Sequence, residues 1–186
     1  MTHVILPELR WEPTANSAPR YGHPVNLVVV HRWGVRYTTE QAEKATYEGV
    51  VNYFKERSSQ VSAHVVFPGS AVPGEATQMV AWDDMAWAEA AYNPDADEIE
   101  SADAIWVGGD EDGLRVLARM VAKRLEVREL PPVWSNRRGF CRHADLGAAG
   151  GGHLECPTTD MALWRRFVKL VQAEHERGHF RKVWGR

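Results

Sequence analysis

The stretch VNLVVVHRWG, residues 25–34, decides the fold of this chain. Residues 27–30 are apolar without interruption, which is typical of a central strand that is buried on both faces. The run ends at His31, and Gly34 predicts a turn shortly after it. We therefore expect His31 to stand at the end of a rigid strand, beside a loop.

Hydrophobic periodicity outside this stretch predicts further strands and helices. Helices are expected over 39–57, 112–128 and 159–176, with Thr38 or Thr39 as the cap of the first. Strands are expected over 61–67, 76–81 and 98–107, and irregular or loop-rich segments over 9–24, 83–97 and 135–152. This order predicts an α/β fold with a central mixed β-sheet flanked by helices.

Composition favours a single domain over residues 1–186, in which 1–24 form a lead-in loop. The chain has 186 residues, of which 44% are hydrophobic, enough for one sizeable core. Its 22 basic and 25 acidic side chains give a net charge of −3, which predicts neither a nucleic acid nor an anionic membrane as partner. No run approaches the roughly 18 apolar residues of a membrane span. The N-terminal sequence lacks the features of a signal peptide.

The histidines and cysteines suggest a metal site. His143 and Cys156 fall in one predicted loop region, and His31 ends the apolar strand. Two histidines and one cysteine are a suitable ligand set for Zn²⁺, with a fourth position left for water. The alternative is structural: His31 is then a hydrogen-bonded histidine at a strand end, and Cys156 a buried thiol.

Several short motifs occur together in a characteristic order. They are residues 28–31 (VVVH), 62–66 (SAHVV), 86–88 (AWA) followed by Asn93, and His143 followed by 153–157 (HLECP). In this order and spacing they resemble the zinc-dependent N-acetylmuramoyl-L-alanine amidases of the type-2 amidase and peptidoglycan recognition protein superfamily. Among these, the chain is most similar to the catalytic domains of phage endolysins. The resemblance extends over about residues 11–167.

The resemblance implies a zinc ligand set and a reaction. His31, His143 and Cys156 match the ligands of the family, whose last ligand is Asp or Cys just before Pro. The family fold is a mixed sheet with helices packed on it and zinc in a surface groove. The implied activity is hydrolysis of the amide between the lactyl group of N-acetylmuramic acid and the L-alanine of the stem peptide in bacterial peptidoglycan.

Two further residues match catalytic positions of the family. Counting seven residues from Asn93 leads to Glu100, which would take a proton from water and pass it to the leaving amine. A shift in register would give Glu98 this role instead, and a solvated acidic stretch is the structural alternative. His153 matches the group that stabilises the developing oxyanion, or it is a surface histidine of a glycine-rich loop.

The chain also departs from the family pattern. Ala63 and Ala88 stand where many members carry Tyr and His, and Thr158 replaces a common Gly after Pro157. His64 is expected to be structural or to lie behind the ligands, and Cys141 to be a buried thiol. Trp33, Trp87 and Asn93 are assigned to substrate binding, although core packing is the commoner fate of tryptophan.

The resemblance favours a monomeric enzyme that acts on peptidoglycan. One alternative is a non-catalytic module of the same fold, in which the cysteine-type ligand is usually replaced, so Cys156 favours the enzyme. Others are a cytoplasmic amidase that recycles wall fragments and a different metallohydrolase. Phage endolysins often lack a signal peptide and reach the wall once a holin opens the membrane. We therefore expect synthesis in the host cytoplasm, release to the wall and an antimicrobial, lytic role. The basic stretch 175–186 is expected to be a solvated helix end.

Overall fold

Eight strands and three α-helices make up the part of the chain described by the computed structural model, which covers residues 6–33 and 40–184. Side chains are described for residues 6–33, 46–107 and 109–178. The strands are β1 (Glu8–Trp11), β2 (Ser17–Pro19), β3 (Leu27–Arg32), β4 (Val65–Phe67), β5 (Glu75–Gln78), β6 (Asp84–Ala86), β7 (Ala96–Ser101) and β8 (Gly139–Arg142). The helices are α1 (Glu40–Lys55), α2 (Glu111–Val127) and α3 (Met161–Trp184).

Six of the strands form a mixed sheet in the order β1-β5-β4-β7-β3-β8, and β2 and β6 form a separate antiparallel pair. Strand β3 lies between β7 and β8 and is parallel to both, with Val30 opposite Ile99 and Arg142. Strands β4 and β5 are antiparallel, which makes the sheet mixed. The carboxyl ends of β3, β7 and β8 therefore meet at one edge of the sheet.

The two faces of β3 pack against different layers. Val28 and Val30 belong to the large core that α2 and α3 complete, whereas Leu27 and Val29 pack with Cys141 on the opposite face. Burial on both faces explains why the strand reads as an uninterrupted apolar run. By alternation His31 continues the face of Leu27 and Val29, away from α2 and α3.

The helices cover both faces of the sheet. Apolar residues of α2 and α3 pack on one face, and Asp110 caps α2 by accepting the Gly113 N–H at 2.8 Å. On the other side, Tyr47 and Val51 of α1 pack against Val66 of β4. The predicted mixed sheet flanked by helices is confirmed. The predicted turn at Gly34 and the cap at Thr38 or Thr39 lie outside the described residues. Among the described helices, none is long and apolar enough to cross a membrane.

Several predicted boundaries are wrong. The segment 9–24 is not a plain loop, because it contains most of β1 and all of β2; β1 pairs in parallel with β5 although its side chains are exposed. The segments 83–97 and 135–152 contain β6 and β8. The strand expected over 98–107 instead occupies Ala96–Ser101, and the helical turn Ala104–Gly108 follows it. Strand β1 is exposed, β7 is rich in acidic residues, and β2, β6 and β8 are short, so local periodicity does not reveal their pairing.

A buried ionic cluster explains the polar sequence of β7. Asp97 is fully buried and accepts hydrogen bonds from Arg20 at 2.8 Å, Arg124 at 2.5 Å and Arg128 at 2.8 Å. The guanidinium of Arg124 also lies 3.8 Å from the ring centroid of Trp82. A buried carboxylate requires such partners, so a strand with an acidic residue at this position is still compatible with the interior.

Candidate metal centre

His31, His143 and Cys156 lie together at the carboxyl edge of the sheet. His31 is in β3 and His143 directly follows β8, its parallel neighbour, while Cys156 lies in the loop before α3. One nitrogen of each histidine and the sulfur of the cysteine all lie within 4.8 Å of one another. His31 precedes His143 by 112 residues and Cys156 by 125 residues, yet the three side chains form a group that could hold a metal ion.

Hydrogen bonds indicate which ring nitrogen of each histidine faces the metal position. Nε2 of His143 lies 2.6 Å from the carbonyl oxygen of Gly150, which can only accept, so this nitrogen carries a proton. Nε2 of His31 lies 2.6 Å from Oε1 of Glu89. Nδ1 is thus the nitrogen of each ring that is left to face the metal position. The Arg32 N–H donates to Sγ of Cys156 at 3.4 Å and holds the sulfur on the third side.

The donor set fits zinc. In a tetrahedral site with ordinary zinc–nitrogen and zinc–sulfur bonds, the ligand atoms lie about 3.3–3.7 Å apart. The candidate atoms lie within 4.8 Å of one another, so small side-chain rotations suffice to close the set. Two imidazoles and one thiolate also leave a fourth position of the tetrahedron for water or substrate.

The site opens into a cavity of about 490 Å³. Its lining includes all three candidate ligands, the apolar side chains of Phe54 and Val61, and the polar segment around His153. A peptide or sugar chain can therefore reach the metal position from solvent.

The two histidines differ in pKa because their hydrogen-bond partners differ. Desolvation, with the neighbouring His31, lowers the pKa of His143 to about 4, which keeps its imidazole neutral as a ligand must be. Burial also lowers the pKa of His31, but hydrogen bonds to Cys156 and Glu89 outweigh it and hold that pKa well above its usual value. His31 therefore depends on its neighbours for its protonation state more than His143 does.

Glu100 borders the same cavity. It lies in β7 with its Cα opposite that of His31, and it is 8% exposed. Among the described residues no hydrogen-bond donor contacts its Oε1, and burial raises its pKa to about 7. A carboxyl group that is poised near neutral pH beside a reaction cavity is suited to general base chemistry. Glu98, the alternative candidate, is fully buried and is not one of the residues that line the cavity.

His153 also lies at the cavity, in an exposed turn. Its ring centroid is 4.6 Å from that of His143, whose ring in turn lies 4.5 Å from that of His31. The structure thus places the predicted oxyanion group beside the candidate ligands.

The three residues assigned to substrate binding do not line the cavity. Trp33 is partly buried against the cores on both faces of the sheet, and the Trp87 backbone pairs with Ser62. Oδ1 of Asn93 accepts the backbone N–H groups of Ala88 and Glu89 at 3.0 and 2.6 Å. Asn93 therefore fixes a loop. Of the two departures from the family pattern, Ala88 lines the cavity and Ala63 is buried in the core.

Glu89 is the residue at the site that sequence reasoning missed. It is fully buried and contacts His31, yet no part of the strand or loop pattern marks it. The one available signal is its position directly after residues 86–88, within a motif of the resemblance. His64, by contrast, is buried under Trp82, with ring centroids 5.2 Å apart, and stays away from the cavity lining.

Comparison with known proteins gives one family match. A family model described as N-acetylmuramoyl-L-alanine amidase matches residues 21–159, which include every candidate ligand and Glu100. Among curated proteins, none is similar enough in sequence to count as a significant match.

Solved structures of low sequence identity share the fold. The Staphylococcus aureus hydrolase AmiA is 15% identical with a TM-score of 0.65, over 92% of this chain and 84% of that chain. A mutant endolysin from Bacillus subtilis is 14% identical with a TM-score of 0.64, over 89% and 99%. The N-acetylmuramoyl-L-alanine amidase LysC from Clostridium intestinale is 15% identical with a TM-score of 0.55, over 88% and 97%.

Proposed function

Because this chain belongs to the N-acetylmuramoyl-L-alanine amidase family, we propose that it is a zinc-dependent hydrolase of peptidoglycan. The bond cleaved is the amide between the lactyl group of N-acetylmuramic acid and L-alanine. The observation that carries this proposal is the convergence of His31, His143 and Cys156 at a cavity that Glu100 also borders. Metal-assisted amide hydrolysis requires a metal-ligand set and, beside it, a group such as a carboxylate that can accept a proton from water.

Each residue of the site has a distinct role in the proposed reaction. His31, His143 and Cys156 would hold zinc, which when bound supplies a Lewis acid for the scissile carbonyl and lowers the pKa of water. Glu100 accepts the proton that the attacking water loses and delivers it to the amine nitrogen as the carbon–nitrogen bond breaks. His153, beside His143, donates a hydrogen bond to the oxyanion that develops on the carbonyl oxygen.

The biological setting is part of the same proposal. We assign an endolysin-type role, in which the protein is made in the host cytoplasm, reaches the wall on release and acts as a monomer. A wall-lysing enzyme should cut intact, crosslinked peptidoglycan at least as well as soluble fragments. A recycling enzyme should strongly prefer the soluble fragments, so paired assays on the two substrates distinguish the roles.

Digestion of purified peptidoglycan with and without a zinc chelator tests the activity. New L-alanine amino termini are expected, which disappear on chelation and return when zinc is added. Bound muropeptide without new termini, in folded and zinc-loaded protein, would contradict the enzyme and indicate a recognition module. Cleavage of another amide or ester in place of the muramoyl amide would contradict the substrate assignment.

A further inference from the structure

Glu89 occupies an unusual position for an acidic side chain. It follows β6 in the loop that leads to β7, and its side chain is fully buried. Two features hold it there: Asn93 accepts its backbone N–H at 2.6 Å, and Oε1 lies 2.6 Å from Nε2 of His31. A carboxylate is seldom buried without a partner, because desolvation of the charge is costly.

A second buried carboxyl group faces Glu89. Glu98 is also fully buried, and the two carboxyl groups lie within hydrogen-bonding reach of each other. Within the described part of the chain, no N–H or O–H donor contacts Oε2 of Glu89 or either oxygen of Glu98. Two carboxyl groups can satisfy each other in such a place only when one proton lies between them. Among the described residues, no basic group donates a hydrogen bond to Glu98, whereas Glu89 contacts His31, so the proton belongs to Glu98.

We propose that Glu89 is a positioning residue of the metal centre: it accepts the Nε2–H hydrogen bond of His31 and thereby presents Nδ1 of His31 to the metal. Glu98 supports it as a neutral hydrogen-bond donor. The inference rests on the proposed zinc site, and it adds a residue pair whose role lies behind the ligands.

The charges of the buried groups agree with this assignment. A divalent cation, the Cys156 thiolate and the carboxylates of Glu89 and Glu100 already sum to −1, so an ionised Glu98 would add a further uncompensated negative charge in the interior. Carboxylates that accept from a metal-bound histidine fix the tautomer of the ring and raise its basicity. Burial and the charge of Glu89 raise the pKa of Glu98 well above its usual value, which is consistent with a proton on Glu98.

Two matched substitutions test the proposal through zinc affinity rather than activity. In the full-length chain, competition with a chromophoric chelator gives the zinc dissociation constant. Glu89→Gln removes the charge and keeps the shape, and it should weaken zinc binding about 10–100-fold. Glu98→Gln replaces a neutral carboxyl group by a neutral amide that still donates to Glu89, so affinity should stay within about threefold of the wild type.

The outcomes separate this inference from the proposed function. If the wild-type chain does not bind zinc, the zinc site itself is wrong. If the wild type binds and Glu89→Gln binds equally well, the role of Glu89 is wrong. Equal losses of zinc affinity in both variants would also overturn the proposal, because the charge of Glu89 would then have no specific effect. Circular dichroism of each variant confirms that the compared proteins are folded.

Side-chain ¹⁵N NMR of the zinc-loaded wild type gives a readout that needs no variant. The His31 ring is expected to carry its proton on Nε2, with Nδ1 on the metal. A proton on Nδ1 would overturn the proposal.

Discussion

The two candidate catalytic residues on β7 differ in their access to the cavity. Glu98 and Glu100 are two residues apart and share a face of the sheet, yet only Glu100 reaches the cavity lining. The resemblance placed a carboxylate here from the spacing to Asn93, with Glu98 as the alternative on the same face of the strand. The sequence could not show which of the two is buried, because that depends on how the loop before β7, which carries Glu89, folds back against the strand.

Glu100→Gln tests the general base. The amide cannot accept a proton, so turnover should fall about 10²–10⁴-fold, while zinc content stays unchanged because Glu100 is not one of the candidate ligands. The rate of L-alanine termini release and the metal content measure the two effects. Glu56→Gln, the same change at an exposed position, serves as the control. Turnover within about threefold of the wild type would reject Glu100 as the base.

Cys156 offers a test of ligand chemistry. Cys156→Ser should lose zinc on dialysis, and activity with it, because a neutral hydroxyl is a far weaker zinc ligand than a thiolate. Cys156→Asp should recover part of both, since carboxylate oxygen also binds zinc. Metal analysis after dialysis measures the zinc content of each protein. Full zinc content in the serine variant would show that the cysteine is not a ligand.

At the scale of elements, the site depends on loops that parallel strands bring together. The apolar run of β3 and the amphipathic pattern of α2 are local properties, so the sequence predicts both. Strands β1 and β8 are short, and pairing with distant partners defines them, which no local pattern records. His31 and His143 could be nominated as ligands from their residue type and from the resemblance, whereas no local pattern shows that Trp33 packs against the core.

The loop between β6 and β7 should depend on Asn93. Asn93→Ala removes the oxygen that accepts the N–H groups of Ala88 and Glu89, so unfolding free energy should fall by about 1–3 kcal/mol. Asn93→Asp keeps an acceptor at this place and should cost less than about 1 kcal/mol. Urea unfolding of the three proteins measures the difference. Equal stabilities would mean that the loop is held without Asn93.

For the whole molecule, acid stability should depend on His64. Its buried ring accepts the Glu98 N–H at Nδ1, at 3.1 Å, and its Nε2 lies 2.8 Å from a nitrogen of Arg20. Burial is the main cause that lowers the pKa of His64 from 6.5 to about 4. Between these values the unfolded chain binds the proton and the folded chain does not, so stability is complete above pH 6.5 and falls as the pH drops toward 4.

His64→Asn removes this titration and keeps polar atoms in the ring position. Between pH 7 and pH 5 the wild type should lose about 2 kcal/mol more unfolding free energy than the variant. Zinc release on acidification affects both proteins and cancels in the difference. Urea titrations at the two pH values provide the numbers. Parallel losses in the two proteins would assign the acid sensitivity to other groups.

The carboxyl edge where β3, β7 and β8 meet also affects how a metal ion would enter and leave. His31 and Glu100 sit on paired strands of the sheet interior, and His143 directly follows a third, where amide hydrogen exchange should be slowest. Cys156 stands on a loop. The two candidate nitrogen ligands are therefore held in place before any ion binds, whereas the position of the candidate sulfur ligand depends on the loop. The lifetime of the bound ion would then be governed by the opening of a short surface segment, independently of the far slower unfolding of the sheet beneath it.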